Sequence, residues 1–318
     1  MKKALRILGV VATFGMFFVL VTGATVTNTG SEQGCGRSWP LCHGKLIPQM
    51  AAATAIEWSH RADAAMETLL ILPLAAGVFW LYRSRREVVV LASTMVAFVF
   101  VQAGLGAWAV MYPQEAGILA LHFGVSLIAF ASVLLTTALL FEVGGMEDIR
   151  RRAIPSTFRR VVWGLTLYSY AVVYLGAYVR HANADDACAG WPRCNGALIP
   201  SLHGPVLTNF AHRIAAGLLV VGVAGLVIWS RKLRAERPDL FMATRIALGV
   251  VVLQAFSGAV VAWTHLDIFS ALAHAALAGL LFGSLTYLCL HVLPSTAAGA
   301  VSIPAVRRRA SGPAGVGR

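Results

Sequence analysis

Long apolar runs constrain this chain more than any other feature. About eight of them occur, near residues 5–26, 56–80, 88–111, 116–141, 160–180, 207–230, 240–263 and 268–292. A helix needs roughly 20 apolar residues to cross the hydrocarbon of a bilayer, and each run is near or above that length. Barrel strands would be about half as long and would alternate apolar with polar residues, so the runs predict helices. Charge agrees: 13% of the 318 residues are charged, against roughly 25% in a soluble domain. The expected fold class is an all-α integral membrane protein with eight transmembrane helices.

The net charge of +12 would suit nucleic acid if it were spread over one surface, but its placement follows the runs. Lys2, Lys3 and Arg6 precede the first. Arg83, Arg85 and Arg86 follow the second, and Arg150, Arg151, Arg152, Arg159 and Arg160 lie between the fourth and fifth. Arg231, Lys232, Arg234, Arg237 and Arg245 flank the gap between the sixth and seventh, and Arg307, Arg308, Arg309 and Arg318 close the chain. Most basic residues therefore lie on one side of the bilayer. The positive-inside bias makes that side cytoplasmic and puts both termini there. The charge is a topology signal, with some affinity for anionic lipid, and no nucleic-acid partner is expected. The opening "MKKALRILG" has the basic start of a signal peptide, but about 20 apolar residues exceed the usual 7–15 of its apolar core. It is read as the first span.

The chain also repeats itself. Residues 39–48 read "WPLCHGKLIP" and residues 191–200 read "WPRCNGALIP", an offset of 152. The same offset carries His60 onto His212, Arg61 onto Arg213, Gln102 onto Gln254, Gly106 onto Gly258 and His122 onto His274. Upstream it becomes 153, pairing Cys35 with Cys188 and "GATV" at 23–26 with "GAYV" at 176–179. Several rare residue types keeping one offset predict two tandem four-helix bundles. Four spans per half give both halves the same orientation, so a pseudo-twofold axis along the membrane normal is expected. The expected organisation is an N-terminal half at 1–141, a cytoplasmic linker at 142–159, a C-terminal half at 160–293 and a disordered tail at 294–318.

Loops at about 27–55 and 181–206 fall outside the membrane on this topology. Cys35 and Cys42 share the first, Cys188 and Cys194 the second. An oxidising exterior allows disulfides, and each pair is close enough for a short clasp. One reading is a structural staple; the other, for Cys35 and Cys42, is a redox-active pair. Cys289 lies in the last span and reads as a small core residue.

Nine histidines are present, and four obey the repeat: His60, His122, His212 and His274. Each stands one to two turns inside the outer end of a span, so each half presents two imidazoles at similar depth. An ionisable side chain in a span is a functional candidate. Two imidazoles inside a four-helix bundle suit a haem iron with two axial histidines. Copper or zinc would want a third ligand that the spans do not consistently offer. His43, His181, His203, His265 and His291 read as surface or satisfied polar residues.

Glu57 and Arg61 stand four apart in "EWSHR", where an exposed helix pair contributes a few tenths of a kcal/mol. The C-terminal half has "NFAHR", with Asn209 in place of the glutamate and Arg213 retained. Haem propionates near the outer surface would give both arginines a partner. Glu57, one turn before His60, can move protons or stabilise positive charge, or it can simply favour a helix N-terminus. The N-terminal half thus reads as reactive, and the C-terminal half as an electron-transfer or structural haem site.

Eight spans, duplicated paired histidines, "EWSHR", and a Cys loop ending in "WPLCHGKLIP" or "WPRCNGALIP" in each half together resemble the haem A synthase family, in its bacterial form with loop disulfides Cys35–Cys42 and Cys188–Cys194. The resemblance covers about residues 1–293. It implies a plasma-membrane oxidoreductase that converts the C8 methyl group of haem O to a formyl by successive hydroxylations, giving haem A for cytochrome oxidase. It further implies haem O at His60 and His122 with Arg61, a haem b cofactor at His212 and His274 with Arg213, and Glu57 as the catalytic glutamate. Haem O synthase and cytochrome oxidase assembly factors are expected partners, and oligomerisation is left open. Two other classes fit the residues alone: a quinol-linked bis-histidine cytochrome b, and a membrane haem carrier.

Overall fold

The structure, a computed structural model, describes residues 1–112, 114–142 and 145–295. Nine α-helices are found among them: α1 (Lys2–Asn28), α2 (Ala52–Leu81), α3 (Arg86–Met111), α4 (Ala116–Glu142), α5 (Gly145–Arg150), α6 (Ser156–His181), α7 (Gly204–Ser230), α8 (Pro238–Trp263) and α9 (Ile268–His291). No β-sheet is present among the described residues. All except α5 are long and apolar enough to cross a membrane, so this is a multi-pass membrane protein. The eight long helices fall on the eight expected runs, extended by up to a turn or so at several ends. The short α5, in the linker, was not expected: its six residues include three charged ones and carry no apolar period. The tail, from residue 296 on, lies outside the described residues.

Each of α1 and α3 packs against α2 and α4, and each of α7 and α9 packs against α8 and α6. Helices α1 and α4 also meet α9, and α4 meets α6. This makes α4 the most enclosed span, with 61% of its apolar window buried, against 17% in α7 and α8. A close α4–α6 approach depends on Gly124, where a Cβ would come 2.8 Å from the Tyr170 hydroxyl. Small residues at such seams are the usual route to tight packing in lipid. Large apolar side chains such as Phe14, Phe18, Trp80, Leu167 and Leu218 face outward, as lipid contact requires.

At the end away from the Cys loops, charges tie the helices together. Arg150, 5% exposed, donates to both carboxylate oxygens of Glu87 at 2.6 Å and to Leu290 O at 2.7 Å. Arg237, 2% exposed, donates to Asp239 and to His291 O, and Asp239 Oδ2 stands 2.9 Å from His291 Nδ1. Two basic residues that mark topology in the sequence are therefore also internal clamps. A buried guanidinium needs acceptors of this kind; those of Arg150 reach its two terminal nitrogens and leave Nε unpaired.

Candidate functional site

The two Cys loops are built alike. Cys35 is bonded to Cys42, and Cys188 to Cys194. In each loop the sequence CHGK or CNGA makes a two-residue hairpin, with paired backbone bonds Cys42–Lys45 and Cys194–Ala197. His43 (φ 51°) and Gly44 (φ 74°) make one turn, and Asn195 (φ 53°) and Gly196 (φ 81°) the other. Asn-Gly is the strongest sequence signature of such a left-handed turn. Trp39–Pro40 and Trp191–Pro192 are both cis.

Each loop is held to the helix that follows it. Glu57, 3% exposed, accepts from Cys35 N–H through Oε2 at 2.7 Å and pairs with Arg61 through Oε1. Arg61 also donates to Ser38 O at 2.8 Å and Leu41 O at 3.3 Å. In the other half Asn209 donates to Ala184 O at 2.8 Å and Asp185 O at 2.9 Å. Arg213 donates to Asn209 Oδ1 at 2.9 Å, to Gly190 O at 2.6 Å and to Cys188 O. The arginine shared by both halves thus has a cause besides propionates: it fastens a disulfide loop over a helix end. The glutamate and the asparagine both anchor loops, but only the glutamate adds a negative charge.

Beneath the loops lies a cavity of about 660 Å³. Its lining includes His60, His122, His212 and His274, together with Glu57, Asn209, Arg61 and Arg213. Each imidazole crosses a glycine of a neighbouring helix. A Cβ at Gly23 would stand 3.0 Å from His60 Cε1, at Gly106 3.4 Å from His122 Cε1, at Gly176 2.7 Å from His212 Cε1, and at Gly258 3.1 Å from His274 Cε1. Four repeat-related glycines therefore clear space for four repeat-related rings.

The ring protons can be placed from their partners. Thr22 donates its hydroxyl proton to Val19 O, so it accepts from His60 Nδ1–H at 3.1 Å. Ser257 donates to Gln254 O and accepts from His274 Nδ1–H at 2.8 Å. Both rings then turn an Nε2 lone pair away from the hydroxyl, the form that ligates a metal. At His274, Gln254 Nε2 stands 3.3 Å from that lone pair as its donor. His122 and His212 keep a buried Nδ1 without a partner. The hydroxyls do not follow the repeat: Leu175 stands where Thr22 has its counterpart, and Leu105 where Ser257 has its own.

These residues fit a haem. Each half offers two imidazoles in one cavity, and among the described residues no third His, Cys, Asp or Glu gathers with them into a metal-holding group. An iron that brings four ring nitrogens of its own needs only two more.

Comparison with known proteins gives the family. A family model described as cytochrome oxidase assembly protein matches residues 6–286. The haem A synthase of Bacillus licheniformis is 42% identical over 295 residues, covering 92% of this chain and 97% of the relative. That of Symbiobacterium thermophilum is 41% identical over 296 residues, covering 92% and 96%. That of Geobacillus kaustophilus is 38% identical over 294 residues, covering 92% and 93%. The chain belongs to the haem A synthase family.

Within this haem A synthase family member, all the sequence-predicted histidines, both arginines and Glu57 line one cavity. His181, expected in a loop, is instead the last residue of α6 and lines the cavity too. Several cavity features had not been singled out. The hydroxyls of Thr22 and Ser257 resemble any small polar residue in a span. The glycines mark the repeat, but nothing in one chain's letters says what they face. Glu67 is a clearer omission. It is 3% exposed, neither carboxylate oxygen has a partner, and it lines the same cavity. The offset of 152 carries it onto Leu219, a signal as readable as the one that singled out Glu57.

Proposed function

We propose that this protein is a haem A synthase, which oxidises the C8 methyl group of haem O to a formyl by successive hydroxylations. The observation that carries the reading is the uneven charge of a duplicated frame. The four histidines and two arginines recur, whereas Glu57 has only Asn209 opposite it. The reacting substrate belongs beside the acid, so haem O is assigned to His60 and His122, and a resident haem b to His212 and His274. When bound, haem b supplies a one-electron redox centre.

The chain's own residues then divide the work. His60 is held by Thr22 with its Nε2 lone pair free, and His274 by Ser257, so one imidazole of each pair is oriented in advance. Glu57 is fixed by Cys35 N–H and Arg61. Its charge stabilises the positive charge that develops at the methyl carbon during oxidation. Arg61 and Arg213 put positive charge at the cavity mouth, where haem carboxylates would meet it, while they hold the loops that cover it. The two disulfides staple those loops.

In this account the halves at 1–141 and 160–293 are tandem bundles about an axis along the membrane normal, joined by the linker at 142–159. The protein sits in the cell membrane with both termini cytoplasmic and the Cys loops outside. Haem O synthase is its natural supplier, and the cytochrome oxidase assembly machinery takes its product. Glu57→Gln tests the reading. It should keep near-normal haem content and form no haem A in a cell that makes haem O. Wild-type haem A formation by this variant would return Glu57 to a loop anchor.

A further inference from the structure

A second acid separates the halves and lies deeper. Glu57, His60, Ala64 and Glu67 share one face of α2, and all four line the cavity. Their counterparts on α7, Asn209, His212, Ala216 and Leu219, line it as well. The seven residues from His60 to Glu67 rise on the order of 10 Å along the helix, away from the loops. Glu67 is 3% exposed and both carboxylate oxygens lack partners. The room for them is provided across the helix pair: a Cβ at Gly15 of α1 would collide with Glu67 Oε2. Tyr168 stands at the repeat position of Gly15. Its hydroxyl donates to Ala215 O instead. The space and the acid thus occur together in one half only.

A buried carboxyl without partners is costly unless a ligand supplies one. The depth of Glu67 sets it against a different part of the ligand from Glu57. With the propionates of a haem at the arginine-lined mouth, the opposite edge of the macrocycle points inward. Haem b carries only apolar groups on that edge. Haem O carries there a hydroxyethyl group bearing a farnesyl tail, so its one inward polar group is a hydroxyl. On the reading that haem O occupies the N-terminal half and haem b the C-terminal half, we infer that Glu67 is the residue that selects haem O, accepting a hydrogen bond from the hydroxyl of its farnesyl-bearing side chain. Leu219 meets the apolar vinyl edge of haem b at the same place in the other half. The cavity then sorts two nearly identical macrocycles by one polar group, as a site built to hydrogen-bond a hydroxyl rejects the analogue lacking it.

The test is equilibrium binding. Full-length protein carrying haem b in its C-terminal half is titrated with haem O or with haem b and followed by Soret absorbance. The wild type should prefer haem O by up to about tenfold, the scale of one net hydrogen bond at a buried site. Glu67→Leu should lose that preference by weakening haem O and leaving haem b unchanged or tighter. Leu already occupies this place in the C-terminal half, so the frame accepts it. Glu67→Gln, which keeps an acceptor oxygen, should retain part of the preference. Equal affinities in the wild type, or equal weakening of both haems by Glu67→Leu, would overturn the inference. Unchanged preference in Glu67→Leu, from cells that still make haem A, would remove the inference and leave the function standing. Preference that depends on Glu67 in a protein that makes no haem A would do the reverse.

Discussion

Adding one methyl group at each of the four glycines beneath the histidines should harm haem binding in a graded order. A Cβ at Gly176 would lie 2.7 Å from His212 Cε1, 3.1 Å from Nε2 and 3.3 Å from Nδ1. Carbon contacts settle near 3.5–4.0 Å, so in Gly176→Ala the ring must retreat by about 1 Å. Overpacking of this kind typically costs about 1–3 kcal/mol, and the ring is the group that must reach the iron. A ten- to hundredfold loss of haem affinity at that half is expected, on the scale of about 1.4 kcal/mol per tenfold. Gly23→Ala and Gly258→Ala, at 3.0 and 3.1 Å, should lose less, and Gly106→Ala, at 3.4 Å, should be nearly silent. Helix propensity works in the opposite sense, since Ala is better than Gly by about 1 kcal/mol, so a general loss of folding does not explain the order. The assay is haem per protein after purification, by pyridine haemochrome, beside the thermal unfolding of each variant. Equal haem loss at all four positions, or the largest loss at Gly106, would refute the idea that these glycines exist to seat the rings.

Other expectations follow from particular contacts. Arg150→Ala leaves Glu87 without its partner and Leu290 O without its donor, and should cost about 3 kcal/mol in stability; Arg151→Ala, whose pair with Asp148 is 64% and 74% exposed, should leave the melting temperature unchanged. Cys188→Ser/Cys194→Ser opens a clasp of sequence separation 6 and should lose about 2 kcal/mol by loop-closure entropy, read as an earlier thermal transition with haem retained. Complete haem loss without a change in that transition would contradict a stapling role. Thr22→Val should broaden or shift the spectrum of the haem at His60 while Ser257→Ala does so at His274; a shift of the same haem in both would contradict the swapped hydroxyls.

Much of this was legible in the letters, for physical reasons. Lipid demands long apolar runs, so eight helices could be read with their ends good to about a turn. Duplication exposed the histidines, because a rare polar residue kept twice inside a span needs a cause. What escaped reading depended on groups that one chain's letters do not display. Backbone carbonyls are the same in every residue, so the clamp of Arg61 on Ser38 O and Leu41 O could not be seen, and Glu57 and propionates stood as its partners. Arg150 and Arg237 read in the sequence as topology charges, because the carbonyls they clamp, Leu290 O and His291 O, lie more than 50 residues away. Glu67 was different: its replacement by Leu219 stood at the offset already in use, masked by the apolar letters around it.

The central claim is that the acid-bearing half turns haem O into haem A. The most direct measurement is extraction of the haems from cells that express this protein together with a haem O synthase, resolved by chromatography. Haem A is the predicted product. Accumulation of only haem O and haem b, with the protein folded and haem-loaded in the membrane, would contradict the account.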